Sequence, residues 1–91
     1  MRRAASTDAN QSVIVDALRD HFYSVTILAR VGSGVPDLLV GARGKNILLE
    51  VKNGSKLTPE QIEWHATWRG QVAVVDSVEM ALKAVEEAIA A

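Results

Sequence analysis

The feature that most constrains this chain is a pair of short apolar runs on either side of a turn signal. The stretch GVPDLLVGARGKNILLEVKNG spans residues 34–54, and its two runs flank Arg43 and Gly44. A glycine at the second position of a two-residue loop favours a tight antiparallel hairpin. The sequence therefore predicts two paired strands, with Leu38 opposite Leu49 and the residues just beyond this pair also facing each other.

Two carboxylates lie at the open end of this predicted hairpin. Asp37 lies just before the first run and Glu50 just after the second, so the same register places them opposite each other, with Cβ atoms ~5 Å apart. Because side chains alternate along a strand, Lys52 falls on the face of Glu50 and Val51 on the other face. The sequence predicts a cluster of two acids and a lysine, which a register shift of one residue would break.

Spacing alone leaves two interpretations of this cluster open. Facing carboxylates repel each other, and the cost rises when they are partly buried. A divalent cation offsets the repulsion: Mg²⁺ binds one or two carboxylates, keeps several waters and often shares its site with phosphate oxygens. The alternative is a surface salt bridge between Lys52 and one of the acids, which stabilises a protein by about 0–1 kcal/mol.

Upstream of the hairpin, the sequence predicts a helix and a strand. A helical pattern begins at Asp8 or Asn10, and residues 1–7 are expected to form a frayed end. Residues 23–31 are rich in β-branched side chains, which is typical of a strand, and a glycine-rich turn follows them. The expected buried face of the helix consists of Ile14, Ala17, Leu18, His21 and Phe22.

Downstream, a helix, a strand and a last helix are predicted. Thr58 suits an N-cap whose capping box is completed by Gln61, and Gly70 is a plausible end of that helix. A short buried strand covers residues 71–75, and Ser77 caps the last helix. The apolar stripe of the last helix consists of Val78, Leu82, Val85 and Ile89. The predicted order is α-β-β-β-α-β-α, an α/β fold with a central mixed sheet flanked by helices.

The composition fits a single soluble domain, 1–91, and excludes several classes of protein. A chain of 91 residues buries little surface and would gain from oligomerisation, and the absence of cysteine excludes disulfides and thiolate zinc sites. No apolar stretch approaches the ~20 residues that cross a bilayer, and residues 1–11 lack the apolar core of a secretory signal, so a cytoplasmic protein is expected. The net charge of −1 argues mildly against a nucleic-acid binder, although basic residues can still cluster on one face.

Several motifs together resemble one known family. The Pro-Asp of GVPD followed by EVK resembles the core of the PD-(D/E)XK nuclease superfamily, a restriction-endonuclease-like fold, although the bare pattern is weakly specific. With LTPEQIEWHATWRG added, roughly residues 10–81 resemble the small stand-alone phage proteins of the VRR-NUC (virus-type replication-repair nuclease) family. The predicted order of elements also agrees with the fold of that family.

The resemblance implies a metal-dependent DNA endonuclease that acts as a homodimer on branched or Holliday-junction DNA in a phage-infected or bacterial cell. It implies that Asp37, Glu50 and the main-chain carbonyl of Val51 bind Mg²⁺ or Mn²⁺. Lys52 matches the lysine that orients or activates the attacking water, and Gln61 matches a glutamine that points toward the site. Many relatives carry an acid on the first helix, where this chain has an uncharged Asn-Gln pair, so the match does not extend to a second, acid-bound metal.

Other residues have competing interpretations. Gln61 can act as a cap or reach the site, and the resemblance favours the site. Trp64 and Trp68 are expected in the core or a dimer interface rather than as base-stacking platforms. The GSG turn lacks the spacing of a P-loop and is either a flexible turn or a place where backbone N–H groups approach DNA. The candidate DNA contacts are Ser33, Gly34, Arg30, Lys56, His65 and Arg69, with Arg43 and Lys45 as further basic candidates.

Two functions compete with the enzyme. One is a non-catalytic module that keeps the nuclease fold and holds nucleic acid on this face. The other is a structural interaction domain in which the acids and the lysine form only a surface salt bridge. A nuclease that had lost its activity would be free to lose one of Asp37, Glu50 and Lys52, and all three are present.

Overall fold

The predicted order of elements is confirmed in the computed structural model, which describes the backbone of residues 2–91 and the side chains from residue 9 onward. The helix predicted to begin at Asp8 or Asn10 begins at Arg2, so the prediction of a frayed end over residues 1–7 is wrong for the described backbone of residues 2–7. The elements are α1 (Arg2–Asp20), β1 (Ser24–Ile27), β2 (Leu38–Ala42), β3 (Lys45–Val51), α2 (Pro59–Thr67), β4 (Val72–Val75) and α3 (Val78–Ala90). Within this described part, no helix is long and apolar enough to cross a membrane.

The four strands form one mixed sheet in the order β1-β2-β3-β4. The pairs β1–β2 and β2–β3 are antiparallel, whereas β3 and β4 are parallel. A parallel pair cannot be joined by a tight turn, so the chain crosses over between β3 and β4, and α2 lies in this crossover. The crossover brings α2 past the end of β3 that carries Glu50.

The predicted register of the β2–β3 hairpin is confirmed. Leu38 pairs with Leu49, and Ala42 pairs with Lys45. The two turn residues both have positive φ, 51° at Arg43 and 80° at Gly44, which is the signature of a type I′ turn. Because the twist of this turn matches that of the strands, the loop fixes the register along the whole hairpin.

The two faces of the sheet have different coverings. One face packs against α1 and α3 and forms the apolar core. Its fully or nearly fully buried members include Ile14, Leu18, Leu38, Val40, Leu49, Val51, Val75, Ala81, Val85 and Ala88. The predicted stripe of α3 joins this core, with Val78, Leu82 and Ile89 partly buried at its margin. Since side chains alternate along β3, Glu50 points to the opposite face, where α2 lies.

Helix α2 has the predicted N-terminus but few apolar contacts. Thr58 Oγ1 accepts a hydrogen bond from the Gln61 backbone N–H, and the Thr58 N–H donates to Gln61 Oε1, which completes the capping box. The predicted end at Gly70 is wrong, because the last turn closes on Trp68, whose N–H donates to the Trp64 carbonyl. None of the residues of α2 is buried, so polar contacts contribute much of its attachment to the sheet.

Two sequence predictions near β1 are wrong. The strand ends at Ile27 and does not extend to residue 31, because the chain turns there and the Val31 N–H donates to the Leu28 carbonyl. His21 and Phe22 were expected on the buried face of α1, but both are exposed. Phe22 is 96% exposed. It occupies the left-handed position of a helix C-terminal cap, with φ 66°, and its N–H and that of Tyr23 close the helix end.

The turn before β2 supports α2 through a close backbone approach. Gly34 is buried with φ 81°, and a Cβ added to it would lie 2.5 Å from the carbonyl oxygen of Glu60. Only glycine allows this contact without displacing the first turn of α2. Gly32 has a similar φ of 77°, but a Cβ there would meet nothing within 4 Å.

This pair of glycines gives a matched test of how α2 is held. Gly32→Ala is expected to lower the free energy of unfolding by about 1–2 kcal/mol, the cost of a left-handed backbone for alanine. Gly34→Ala should lose a further ~1–3 kcal/mol, because the added methyl group meets backbone atoms. Urea unfolding of both variants measures the difference, and equal losses would contradict the packing of α2 on Gly34.

Candidate functional site

The centre of the site is a buried carboxylate on the polar face of the sheet. Glu50 is 2% exposed, and it is the buried charged residue of the described part of the chain. It lies between Leu49 and Val51, whose side chains point into the apolar core on the other face. Burying an ionised carboxylate is unfavourable unless hydrogen bonds or opposite charges compensate. The contacts of Glu50 therefore determine what the site can bind.

Asp37 lies next to Glu50 at the open end of the hairpin. The backbone pairing of β2 and β3 ends at Leu38 and Leu49. Beyond this pair, the Asp37 side chain takes the place of a backbone acceptor for β3. Its Oδ2 accepts a hydrogen bond of 2.8 Å from the Val51 N–H. The Asp37 side chain also lies close enough to the Glu50 carboxyl group to add to the rise in pKa that burial causes there. The hairpin thus brings the two acids together.

Helix α2 contributes two polar side chains to the Glu50 carboxyl group. Gln61 Nε2 donates to Glu50 Oε2 at 3.3 Å, while the Oε1 of the same amide accepts from the Thr58 N–H at 2.9 Å. Gln61 therefore acts both as a cap and as a site contact, and the two sequence interpretations are compatible. One turn later, His65 Nε2 lies 3.7 Å from Glu50 Oε1.

The electrostatics favour a protonated Glu50 when no cation is bound. The pKa of Glu50 is raised to about 8, chiefly by burial and also by the hydrogen bond and negative charge of Asp37, against a lowering effect of the charge of Lys52. Burial also lowers the pKa of His65, with a smaller contribution from the positive charge of Lys52. At neutral pH the imidazole is therefore uncharged, and it forms no strong ion pair with Glu50.

Lys52 lies just beyond β3, where its charge acts on both Glu50 and His65. Among the described residues it makes no ion pair with either acid, so the surface salt bridge considered from the sequence does not form. Its backbone is fixed on both sides. The Lys52 N–H donates to the Val75 carbonyl at 2.9 Å, and its carbonyl accepts from Asn10 Nδ2 at 3.2 Å.

Asn10 is a site residue that sequence reasoning missed in this role. Its amide from α1 bridges the carbonyls of Lys52 and, at 3.5 Å, Asp76. The sequence placed Asn10 only at the position where many relatives of the resembled family carry an acid. No local pattern links it to Lys52, because the two residues are 42 positions apart. The contact ties α1 to the end of β3.

The side chains at this site suit a cation that keeps several bound waters rather than one that is bound by protein ligands alone. Glu50 Oε1 is buried and has no hydrogen-bond partner among the described residues, which is the condition expected of a carboxylate oxygen that a cation would bind. No group of three His, Asp or Glu side chains in the described part is arranged to hold a metal unaided. Mg²⁺ and Mn²⁺ sites built from one or two carboxylates and water meet this description. The residues present therefore fit such an ion.

The candidate DNA contacts are spread over the surface. Arg30, Lys56 and Arg69 are exposed, and Arg43 lies at the hairpin tip, away from the acids. Ser33 lines a cleft of about 330 Å³ together with the carboxylates of Glu60 and Glu63 and the half-buried side chain of Trp64. These acids disfavour a phosphate at the turn, and Gly34 next to it packs against α2.

The two tryptophans are only partly covered. Their rings stack with centroids 4.7 Å apart, and Trp68 is 46% exposed. They therefore do not belong to the apolar core, which was one of the two sequence expectations. The other, a dimer interface, stays a prediction.

A search of the solved structures finds a chain described as a VRR_NUC domain. The two chains are 31% identical, they superpose with a TM-score of 0.72, and the match covers 88% of this chain and 94% of that one. No family model matches the sequence, and no curated protein does. The likeness in fold is accompanied by sequence identity over nearly the full length of both chains.

The raised pKa of Glu50 predicts how stability depends on pH when metal is absent. Between pH ~4.5 and pH ~8 the folded protein retains a proton that the unfolded chain releases, so the free energy of unfolding falls as pH rises. The variant Glu50→Gln has a side chain of the same shape that does not titrate, so its free energy of unfolding should fall less as pH rises. Thermal unfolding in EDTA across this range measures the effect, and parallel profiles for the two proteins would contradict it.

A second prediction separates the two roles of Gln61. Gln61→Glu retains a capping-box acceptor but replaces the donor to Glu50 with a carboxylate, so it should cost about 1–3 kcal/mol, and more above pH 8, where Glu50 ionises. Thr58→Ala removes the cap alone and should cost about 1 kcal/mol at any pH. Urea unfolding at pH 6 and pH 9 compares them. If the loss of stability in Gln61→Glu were the same at both pH values, Gln61 would act only as a helix cap and not as a contact of Glu50.

Proposed function

The chain belongs to the VRR-NUC family of nuclease-fold domains, and we propose that it is a metal-dependent endonuclease that hydrolyses phosphodiester bonds in DNA. The observation that carries the proposal is the Glu50 carboxyl group, buried beside Asp37 with one oxygen lacking a partner. A fold that only bound nucleic acid would gain nothing from this arrangement, because an unsatisfied buried oxygen costs about 1–3 kcal/mol.

Asp37, Glu50 and the main-chain carbonyl of Val51 are the proposed ligands of a Mg²⁺ or Mn²⁺ ion. When bound, such an ion polarises a phosphoryl oxygen and lowers the pKa of a coordinated water. Binding requires Glu50 to lose the proton that its raised pKa retains. Positions on the ion that the protein does not fill would be taken by water and by the phosphate of the substrate.

The remaining groups of the site act by position and charge. Gln61 Nε2 holds one oxygen of Glu50 and leaves the other free, which orients the carboxylate. Lys52 supplies a positive charge near the site, where it stabilises the negative charge that develops on the phosphate and orients the attacking water. Asn10 and Val75 hold its backbone on either side, so the ammonium group starts from a fixed point. This fixed start limits the entropy lost when Lys52 engages the substrate.

Branched DNA and a homodimer are the proposed substrate class and assembly. A small domain with one apolar core gains stability from a second copy, and a two-fold dimer presents two sites to two strands. Exposed basic residues such as Arg30, Lys56 and Arg69 are the proposed phosphate contacts at the rim. With a net charge of −1, DNA binding would depend on these local positive charges and would weaken with added salt.

The decisive experiment is cleavage of labelled four-way-junction and duplex DNA with Mg²⁺, Mn²⁺ or EDTA. Wild type should cut in either metal and not in EDTA, and Asp37→Asn, Glu50→Gln and Lys52→Ala should each lose at least ~10²-fold in rate. Lys83→Ala, an exposed lysine on α3, is the matched control and should cut as wild type does.

Two results would contradict the enzyme proposal. One is wild-type protein that binds DNA but does not cut with either metal, which would favour the non-catalytic module. The other is an Asp37→Asn variant that cuts as fast as wild type. Separately, a Lys83→Ala variant that lost both DNA binding and cleavage would show that DNA binds on the α3 face and not on the face that carries Glu50.

A further inference from the structure

Two buried polar atoms of the site face each other without partners. Glu50 Oε1 and His65 Nε2 lie 3.7 Å apart, and neither makes a hydrogen bond. The separation exceeds that of an N–H···O hydrogen bond, about 2.7–3.2 Å. Each unsatisfied buried group costs about 1–3 kcal/mol, so the pair is unfavourable unless something occupies the space between them.

The pair is oriented from both sides. Gln61 donates to the other oxygen of Glu50, which leaves Oε1 directed at the imidazole. His65 lies one helical turn after Gln61 on α2, and its ring packs edge-on against Trp64 with centroids 5.9 Å apart. The capping box and the contact at Gly34 fix the start of this helix. The two orphaned atoms are therefore held opposite each other.

The chemistry of the pair suits a metal ion better than an ion pair. A neutral imidazole offers a lone pair at its unprotonated ring nitrogen and is a common metal ligand. Nitrogen and oxygen ligands bind ions such as Zn²⁺ at about 2.0–2.2 Å, so two ligands of one ion can lie up to roughly 4.2 Å apart. The observed 3.7 Å falls within this limit.

We propose that His65 Nε2 and Glu50 Oε1 are both ligands of one divalent ion, so that this site selects Mn²⁺ over Mg²⁺. The inference rests on the metal site of the proposed function and adds a ligand to it. Imidazole is a good ligand for transition metals, whereas Mg²⁺ takes oxygen ligands almost exclusively. Water completes the coordination, since the described side chains are not arranged to enclose a metal ion by themselves.

The test uses Mn²⁺ and Mg²⁺ alone, with untagged protein, so that binding is measured apart from cleavage. Isothermal titration should show that His65→Gln weakens Mn²⁺ binding at least ~10-fold and changes Mg²⁺ binding much less. His21→Gln is the matched control, because the His21 side chain is exposed and interacts with the Ala17 carbonyl and the Tyr23 ring, away from the site. It should bind both metals as wild type does.

A spectroscopic readout keeps the test independent of how well the variants fold. Electron spin echo spectra of Mn²⁺-loaded wild type should show nitrogen modulation from a directly bound imidazole, and His65→Gln should lose it. Wild type without nitrogen modulation, or His65→Gln with unchanged Mn²⁺ affinity, overturns the inference.

Cleavage distinguishes this inference from the proposed function. Wild type that cuts DNA in Mg²⁺ but shows no nitrogen modulation would leave the nuclease standing and remove His65 as a ligand. Wild type that binds Mn²⁺ through nitrogen but cuts nothing would support the ligand and overturn the nuclease.

Discussion

The burial of the Glu50 carboxyl group is the constraint on which the polar half of this fold depends. A carboxylate that loses its water must gain hydrogen bonds, a counter-charge or a proton. Here Asp37, Gln61 and His65 all contact or approach it, and only Gln61 donates a good hydrogen bond to it. Without metal, the rest of the cost of burying Glu50 is avoided by protonating the carboxylate, and this is why its pKa is raised. A cation meets the same requirement without a proton, so the protein is poised to exchange one for the other.

Much of the fold could be predicted because its main constraints are local in sequence. The Arg43-Gly44 turn sets the register of the hairpin, and the register then places Asp37 beside Glu50. The capping box of α2 is likewise specified within four residues, beginning at Thr58. Phe22 shows where local periodicity fails. Its spacing matches the buried face of α1, but the helix ends in a left-handed residue, which turns the side chain away from the core.

The contacts between distant parts of the chain could not be predicted in the same way. Asn10 bonds the Lys52 carbonyl across 42 positions, and no periodicity or motif specifies that contact. The position of α2 over Glu50 follows from the β3–β4 crossover, and this placement makes Gln61 a cap and a site residue at once. The sequence named His65 only as a candidate DNA contact. Its unpartnered Nε2 becomes visible only when the helix is in place.

The division of the sheet into two faces separates the stability of this protein from its chemistry. The core under α1 and α3 is apolar and contains members such as Ile14 and Val85 that are completely buried. On the other face α2 has no buried residue, and its attachment depends on the approach at Gly34 and on the polar contacts with Glu50. A change in the charge of Glu50 therefore acts directly on the groups that hold α2, while the core remains unaffected. Proton release and metal binding at this carboxylate are accordingly coupled to the position of the helix that carries Gln61 and His65.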